Sequence, residues 1–375
     1  MTSTPADPTG GPKPAPEVRL ATLDDAPSML RVLEAAFDPW PSFEVGVGGL
    51  DHLRWKMTMP GQPAAHTVGL VNGEIAAVSL RWVSRMRLGD EELIQDSSVD
   101  HAVHPDFQGR GLGGAIARFA HAKAEAYSDV SLGTGSSDDR IPSIFDSFDP
   151  SRVTHVLPVR SRAFGVRAFI GSHRRGGGLP GLARNVARAL QQQVSTAGQR
   201  GEPSGVRIEE LTAFDERVDP LWRAFGSRFE FTVERDVDYL NWRYCDPRGG
   251  TAVVLAAFEG DQMVAFTVFK AAGDWSNVLD FAVLPDHPRA AALTRELLDA
   301  GCRRMEEAGA RGARLALGMR HPAGRVVEAA GFLPAGSSIE FSSGPQRRGS
   351  RAPLLDRLYA GEARSNLLLG DADIF

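Results

Sequence analysis

The tightest constraint on the fold is that the chain repeats itself. Residues 19–37, RLATLDDAPSMLRVLEAAF, align without gaps to residues 207–225, RIEELTAFDERVDPLWRAF. Further on, DHLRWKMTMP at 51–60 matches DYLNWRYCDP at 238–247, so Trp55, Lys56 and Pro60 fall on Trp242, Arg243 and Pro247. The turn Asn72-Gly73-Glu74 falls on Glu259-Gly260-Asp261, and Val103-His104-Pro105-Asp106 on Val283-Leu284-Pro285-Asp286. Four matches in one order mean a duplicated domain, which bounds the architecture before any motif does. The length agrees: 375 residues exceed the roughly 250–300 at which a single core stops growing.

Within each copy the apolar spacing alternates between helical and strand periods. APSMLRVLEAAF is an amphipathic helix entered near Asp24 and Asp25. HTVGLV, EIAAVSLRWVS and LIQDSSVDHAV read as strands, the last two joined at Gly89-Asp90, and AIARFAHAKAEA is a helix. Two tandem α/β (mixed α+β) domains follow, with mostly antiparallel central sheets flanked by helices. The expected limits are a disordered tail over 1–16, a first domain over 17–165 and a linker with one surface helix over 166–204. A second domain spans 205–345, and the segment 346–375 is too apolar to stay free of the domains.

Composition excludes several classes. A net charge of −5 gives no footprint for nucleic acid. No stretch has the length of a membrane span or of a signal-peptide core, so a cytoplasmic protein is expected. Cys245 and Cys302 are the two cysteines; they form no CxxC pair and read as small buried residues rather than metal ligands. The spacing His101-x-x-His104 on a strand sends the two rings to opposite faces, which excludes a zinc pair. Nothing in the sequence sets an oligomeric state.

The stretch 103–114, VHPDFQGRGLGG, joins a strand to a helix through four glycines. First-turn amides have no partners within the helix and carry the positive end of its dipole. A pyrophosphate satisfies both deficits, provided that no Cβ holds it away from the amides. Arg110 adds a fixed charge. The P-loop pattern is absent, and Pro105 opposes a dinucleotide reading.

The full spacing, V-x-P-x-x-Q-G-x-G-x-G over Val103, Pro105, Gln108, Gly109, Gly111 and Gly113, resembles the acyl-CoA motif of the GNAT superfamily of N-acetyltransferases. That resemblance extends over both copies. It implies that His101, Ala102 and Val103 line the acyl arm of acetyl-CoA, and that Gln108, Gly109, Arg110, Gly111, Leu112, Gly113 and Gly114 hold its pyrophosphate. Asp138 sits about where the family carries a CoA-side asparagine. The second copy keeps the scaffold, including Ala330-Gly331-Phe332. It continues as DHPRAAALTRELL, with no glycine until Gly301 and with Pro288 removing an amide donor, so it is expected to be degenerate and not to bind CoA in this way.

Acyl transfer needs a neutral amine, a group to take its proton, and a polarised site for the departing thiolate. At the place where the family often has an acidic tyrosine this chain has Phe145; its tyrosines are Tyr127, Tyr239, Tyr244 and Tyr359. For the base, Ser97 matches a position where some relatives carry a carboxylate. Strict alternation puts His101 on the face of Val99 and Val103, and Asp96 and Asp100 on the other unless a bulge intervenes. His101, Asp100, Ser97 and the terminal carboxylate of Phe375, in LLLGDADIF, are the catalytic candidates. The duplicated Trp55/Lys56 and Trp242/Arg243 read as packing of the shared fold. The expected activity is acetyl transfer from acetyl-CoA to a small-molecule amine. The rivals are an acyl-CoA-binding sensor and an acyltransferase using a longer acyl chain.

Overall fold

A computed structural model describes residues 16–41, 43, 45–61, 64–134, 152–165, 206–345, 356, 358 and 364–372. The first copy runs β1 (Glu17–Leu20), α1 (Ala26–Ala36), α2 (Gly49–Met57), β2 (Thr67–Val71), β3 (Glu74–Leu88), β4 (Glu91–Val103), α3 (Leu112–Ala124), β5 (Val130–Thr134) and β6 (Arg152–Ala163). The second runs β7 (Arg207–Leu211), α4 (Val218–Gly226), the short β8 (Phe231–Val233) and α5 (Val237–Leu240), which continues into a π turn over Asn241–Cys245. It goes on through β9 (Ala252–Glu259), β10 (Gln262–Ala272), β11 (Trp275–Val283), α6 (Ala290–Glu307), β12 (Gly312–Ala316), α7 (Gly324–Ala329) and β13 (Leu333–Pro345). A two-residue β14 (Ser365–Asn366) lies against β8.

Local chemistry accounts for these elements. α1 carries Pro27 in its first turn and buries Ala26, Met29, Val32 and Leu33, one stripe at helical spacing. Asn72 and Gly73 both take positive φ, 53° and 83°, the type I′ geometry that matches the twist of the β2–β3 hairpin.

The strands form one sheet in the order β1-β2-β3-β4-β5-β13-β6-β12-β11-β10-β9-β7. Pairing is antiparallel except for β4–β5, β11–β12 and β8–β14. The order is a palindrome, because β7, β9, β10, β11, β12 and β13 repeat β1 to β6. The two sheets expected from the sequence are thus fused into one, and the fusion is an exchange of last strands. β13, from the second copy, pairs with β5, while β6 pairs with β12; β6 and β13 then pair with each other. Each donated strand covers an edge that would otherwise expose unpaired amides.

The copies also meet through the duplicated tryptophans. Trp55 stacks on Trp242 with ring centroids 4.7 Å apart and planes 16° from parallel. Each indole donates to the other's backbone carbonyl: Trp55 Nε1 to Trp242 O at 2.8 Å, Trp242 Nε1 to Trp55 O at 3.2 Å. Equivalent residues in reciprocal contact are the mark of a two-fold interface, here inside one chain. Trp82 stands edge-on to both rings. Trp242→Ala is expected to cost about 3–5 kcal/mol, read as a shift of the urea midpoint without a second transition.

Candidate functional site

In the first copy β4 pairs with β3 to its end, but with β5 only at Gln95–Val130 and Asp96–Ser131. Beyond Asp96 the two strands diverge, so the β5-facing edge of residues 97–103 offers backbone donors and acceptors to a gap rather than to a ladder. The divergence coincides with a break in register. Ser79 lies opposite His101 and Arg81 opposite Ser98, so Val99 and Asp100 together face Leu80. This is a β-bulge.

The bulge changes the faces that strict alternation predicts. Val99 and Asp100 both turn to the α1–α2 side. Asp100 Oδ2 accepts from Lys56 Nζ at 2.6 Å and Oδ1 from Trp40 Nε1 at 3.1 Å. His101 moves to the other face, toward α3, where its ring meets the backbone of Gly113 and lies near Arg81. Placing His101 with Val99 is therefore corrected: it shares its face with Asp96 and Val103. Burial and the Arg81 charge push its pKa down to about 4 against the Gly113 contact, so the ring is neutral at pH 7 and a weak base. Ala102 is buried under α1, and the Ser97 hydroxyl donates to the Leu132 carbonyl across the vertex of the splay.

The glycine loop lies at the open end of the gap. Gly109 and Gly111 take φ of 72° and 79°, conformations that favour glycine, and a Cβ at either would project into open space. Gly111 caps α3. The first helical bond runs from Ala115 N to Gly111 O at 3.1 Å, so the amides of Leu112, Gly113 and Gly114 have no acceptor within the helix. Leu112 is buried and anchors this turn. Gln108 folds back to donate to the Val103 carbonyl at 3.3 Å, and Arg110 lies over the Phe107 ring. The geometry fits a pyrophosphate followed by an extended arm. Asp138, Phe145 and Phe375 lie outside the described residues.

Two features escaped the sequence reading. Arg118, exposed one turn after Gly114, places its guanidinium over that glycine, where a Cβ would come within 3.1 Å of Nη1; the i, i+4 spacing was the available signal. Beneath α3, Asp96 is fully buried, paired with Arg81, and accepts from Tyr127 Oη at 2.5 Å. Burial and the Asp96 charge raise the Tyr127 pKa, so the phenol stays protonated. No periodicity announces this cluster, because its members come from three elements.

The second copy repeats the splay: β11 pairs with β12 only at Ser276–Ala313 and Asn277–Arg314. There the chain's own side chains crowd the gap. Phe281 lies 5.6 Å from the His321 ring, which packs 5.0 Å from Phe229. The terminal segment crosses the same region with Leu367, Leu368 and Leu369 buried. It forms a two-residue bridge followed by a 3-10 turn over Leu369–Asp371. Asp371 is held by Arg235, which also binds Asp280. Arg243 donates to the carbonyls of Gly370 and Ala372, with its guanidinium 4.8 Å over Trp82. Trp82 pairs with Ser97, so the described end of the segment lies beside the first copy's splayed strand.

Among the described residues there is no metal-holding group of His, Cys, Asp and Glu, and no helix long and apolar enough to cross a membrane. No family model matches the sequence, and a search of curated proteins finds no match. Solved structures do match. A Saccharomyces cerevisiae N-myristoyltransferase with bound myristoyl-CoA superposes with a TM-score of 0.57 at 11% identity, covering 90% of this chain and 80% of that one. A GCN5-related N-acetyltransferase from Anabaena variabilis gives 0.56 at 9% identity, covering 88% and 72%. A tandem GNAT protein from the clavulanic acid biosynthesis pathway gives 0.53 at 15% identity, covering 90% and 100%. The chain therefore has the GNAT fold of these structures, laid down twice and joined by exchanged strands.

Proposed function

We propose that this protein is an acyl-CoA-dependent N-acyltransferase whose first copy moves an acetyl group from acetyl-CoA to a primary amine of a small molecule. The observation that carries the reading is the meeting of two features in one copy: a splay that bares the β4 edge, and a glycine-capped helix at its mouth. The loop amides, with Arg110 and Arg118, neutralise the pyrophosphate, and the bared edge of residues 99–103 receives the pantetheine arm and the acyl carbonyl. At the vertex, Ser97 bridges to Leu132 and Asp96 pairs with Arg81. A long alkyl chain pushed there would strip polar groups of their partners, which favours acetyl over a longer acyl group.

In the transfer the amine nitrogen attacks the thioester carbonyl. A C–N bond forms, the C–S bond breaks, the amine gives up a proton and the thiolate leaves with one. Asp100 is our candidate to draw the ammonium form and take its proton. It is the carboxylate at the bulge, and each oxygen, already accepting one bond from Lys56 or Trp40, keeps a second lone pair, whereas His101 is neutral with its ring nitrogens buried and the Ser97 hydroxyl donates to Leu132. The second copy, with its splay filled and its helix start free of glycine, serves as a wall of the acceptor cleft and not as a second CoA site.

One observation favours a different reading, a sensor that binds acyl-CoA without transfer: the Tyr127 hydroxyl donates to Asp96 at the vertex of the splay and the Tyr244 hydroxyl to Asp280, so neither is directed at a departing thiolate. Thiol release from acetyl-CoA across a panel of primary amines separates the two. Acceptor-dependent release supports the enzyme; binding with no release from any amine supports the sensor; no binding overturns both.

A further inference from the structure

The buried polar groups under α3 form a seam that runs the length of the helix. At its far end the Tyr127 hydroxyl, which also accepts from Ala65 N at 3.1 Å, donates to Asp96. Asp96, the last residue of β4 paired with β5, holds Arg81 across the ladder. His101 lies opposite Ser79, on the face that Arg81 also occupies, and meets the backbone of Gly113 in the first turn of α3. The vertex of the splay is thereby linked to both ends of the helix that carries the glycine loop.

The second copy supplies an internal control. The shared V-x-P-D element and the ladder pairing put Ser276 at the position of Asp96, Phe269 at that of Arg81 and Phe281 at that of His101. Gly309 and Thr294 stand for Tyr127 and Gly113, since Leu293 and Leu297 pack on Val264 and Ala265 as Leu112 and Ile116 pack on Ala76 and Ala77. There ring packing replaces the polar links: Phe269 packs flush against Gly301 of α6, and the Thr294 hydroxyl turns back to the Ala290 carbonyl of its own helix at 2.9 Å. None of these positions carries a charge; the ion pairs that tie α6 to the sheet, Arg162 with Asp299 and Arg304 with Glu210, lie elsewhere on the helix.

The fold therefore does not require a polar seam, and burying one carries a desolvation cost that apolar packing avoids. What the polar version adds is direction. Hydrogen bonds and a fixed ion pair tolerate less sliding of a helix over a sheet than ring packing does. The two copies differ in this seam and in the glycine loop together.

We propose that Tyr127, Asp96, Arg81 and His101 are positioning residues that register the first turn of α3 against the splay, so that pyrophosphate and acyl arm are held at once. This rests on the acyl-CoA reading of the first copy. It makes His101 a strut of the cradle rather than the catalytic base.

Two variants test it in the full chain, beside the wild type, with acetyl-CoA as probe. Tyr127→Phe removes one hydroxyl, and a combined variant, Arg81→Phe with Asp96→Ser and Ala120→Gly, installs the second copy's ring together with the glycine that makes room for it. The expected result for Tyr127→Phe is a KM for acetyl-CoA raised about tenfold, with kcat and the KM for the amine changed less than twofold. The combined variant is expected to keep a cooperative melt and to lose acetyl-CoA binding by titration. If both variants melt lower but keep the acetyl-CoA KM and affinity within twofold of wild type, the seam is only structural and the proposal is overturned. If the combined variant does not fold, the apolar solution fails in the first copy and the fold needs these charges there, which also overturns it. A wild type that binds no acetyl-CoA removes the underlying reading instead.

Discussion

Valine at position 111 is expected to weaken acetyl-CoA binding about a hundredfold or more, in a protein that still folds. Gly111 takes φ of 79° and its missing Cβ faces open space, so no neighbour inside the protein clashes with the new side chain. It costs about 1–2 kcal/mol of backbone strain and fills the room in which a pyrophosphate would approach the amides of Leu112 to Gly114. Gly73→Val separates strain from occupancy. Gly73 also takes a positive φ, 83°, and also faces open space, but at a hairpin tip. It should lose similar stability and keep its affinity. Titration calorimetry with acetyl-CoA, alongside a thermal melt, reads both quantities. Equal affinity in the two variants would mean that the loop holds no phosphate.

The second large effect is acid lability. His52, His66, His101, His155 and His321 are each depressed from 6.5 to about 4, with burial the first cause in every case. A depressed histidine stabilises the folded chain fully above about pH 6.5. That contribution is lost as the pH falls toward 4, because the unfolded chain takes up protons that the folded chain refuses. Each group contributes a slope of about 1.4 kcal/mol per pH unit. Five together, over more than two units, exceed the roughly 5–15 kcal/mol by which a domain is stable. Cooperative unfolding near pH 5 is expected, followed by circular dichroism. His155→Phe should flatten the slope by about one proton, since His155 already lies face to face on Phe231, 5.2 Å away at 10°. Constant stability from pH 7 to 4.5 would refute the burial of these rings.

The duplication and the loop were readable because both are written in consecutive residues. An alignment of 19–37 with 207–225 needs no partner strand, and Gly109 and Gly111 take positive φ for reasons carried by their own backbone. The bulge was not readable. Whether Asp100 and His101 share a face depends on Leu80 facing two residues, a fact of pairing that no period in 91–103 contains. That one extra residue sent Asp100 to Lys56 and His101 to Gly113. The seam was hidden for the same reason, since Tyr127, Asp96 and Arg81 meet only after three elements have docked. Nor did spacing reveal that Trp55 and Trp242, read as packing within each copy, pack on each other.

The exchange of β6 and β13 has a consequence for synthesis on the ribosome. β5 ends at Thr134, but its outer neighbour β13 begins at Leu333. The half that carries the glycine loop cannot close its sheet until almost the whole chain has emerged. Pairings so distant in sequence form slowly, and meanwhile an apolar strand edge stands open to any other nascent copy. A chaperone that shields the β5 edge until residue 345 has been translated would have a defined client interval, set by the topology alone.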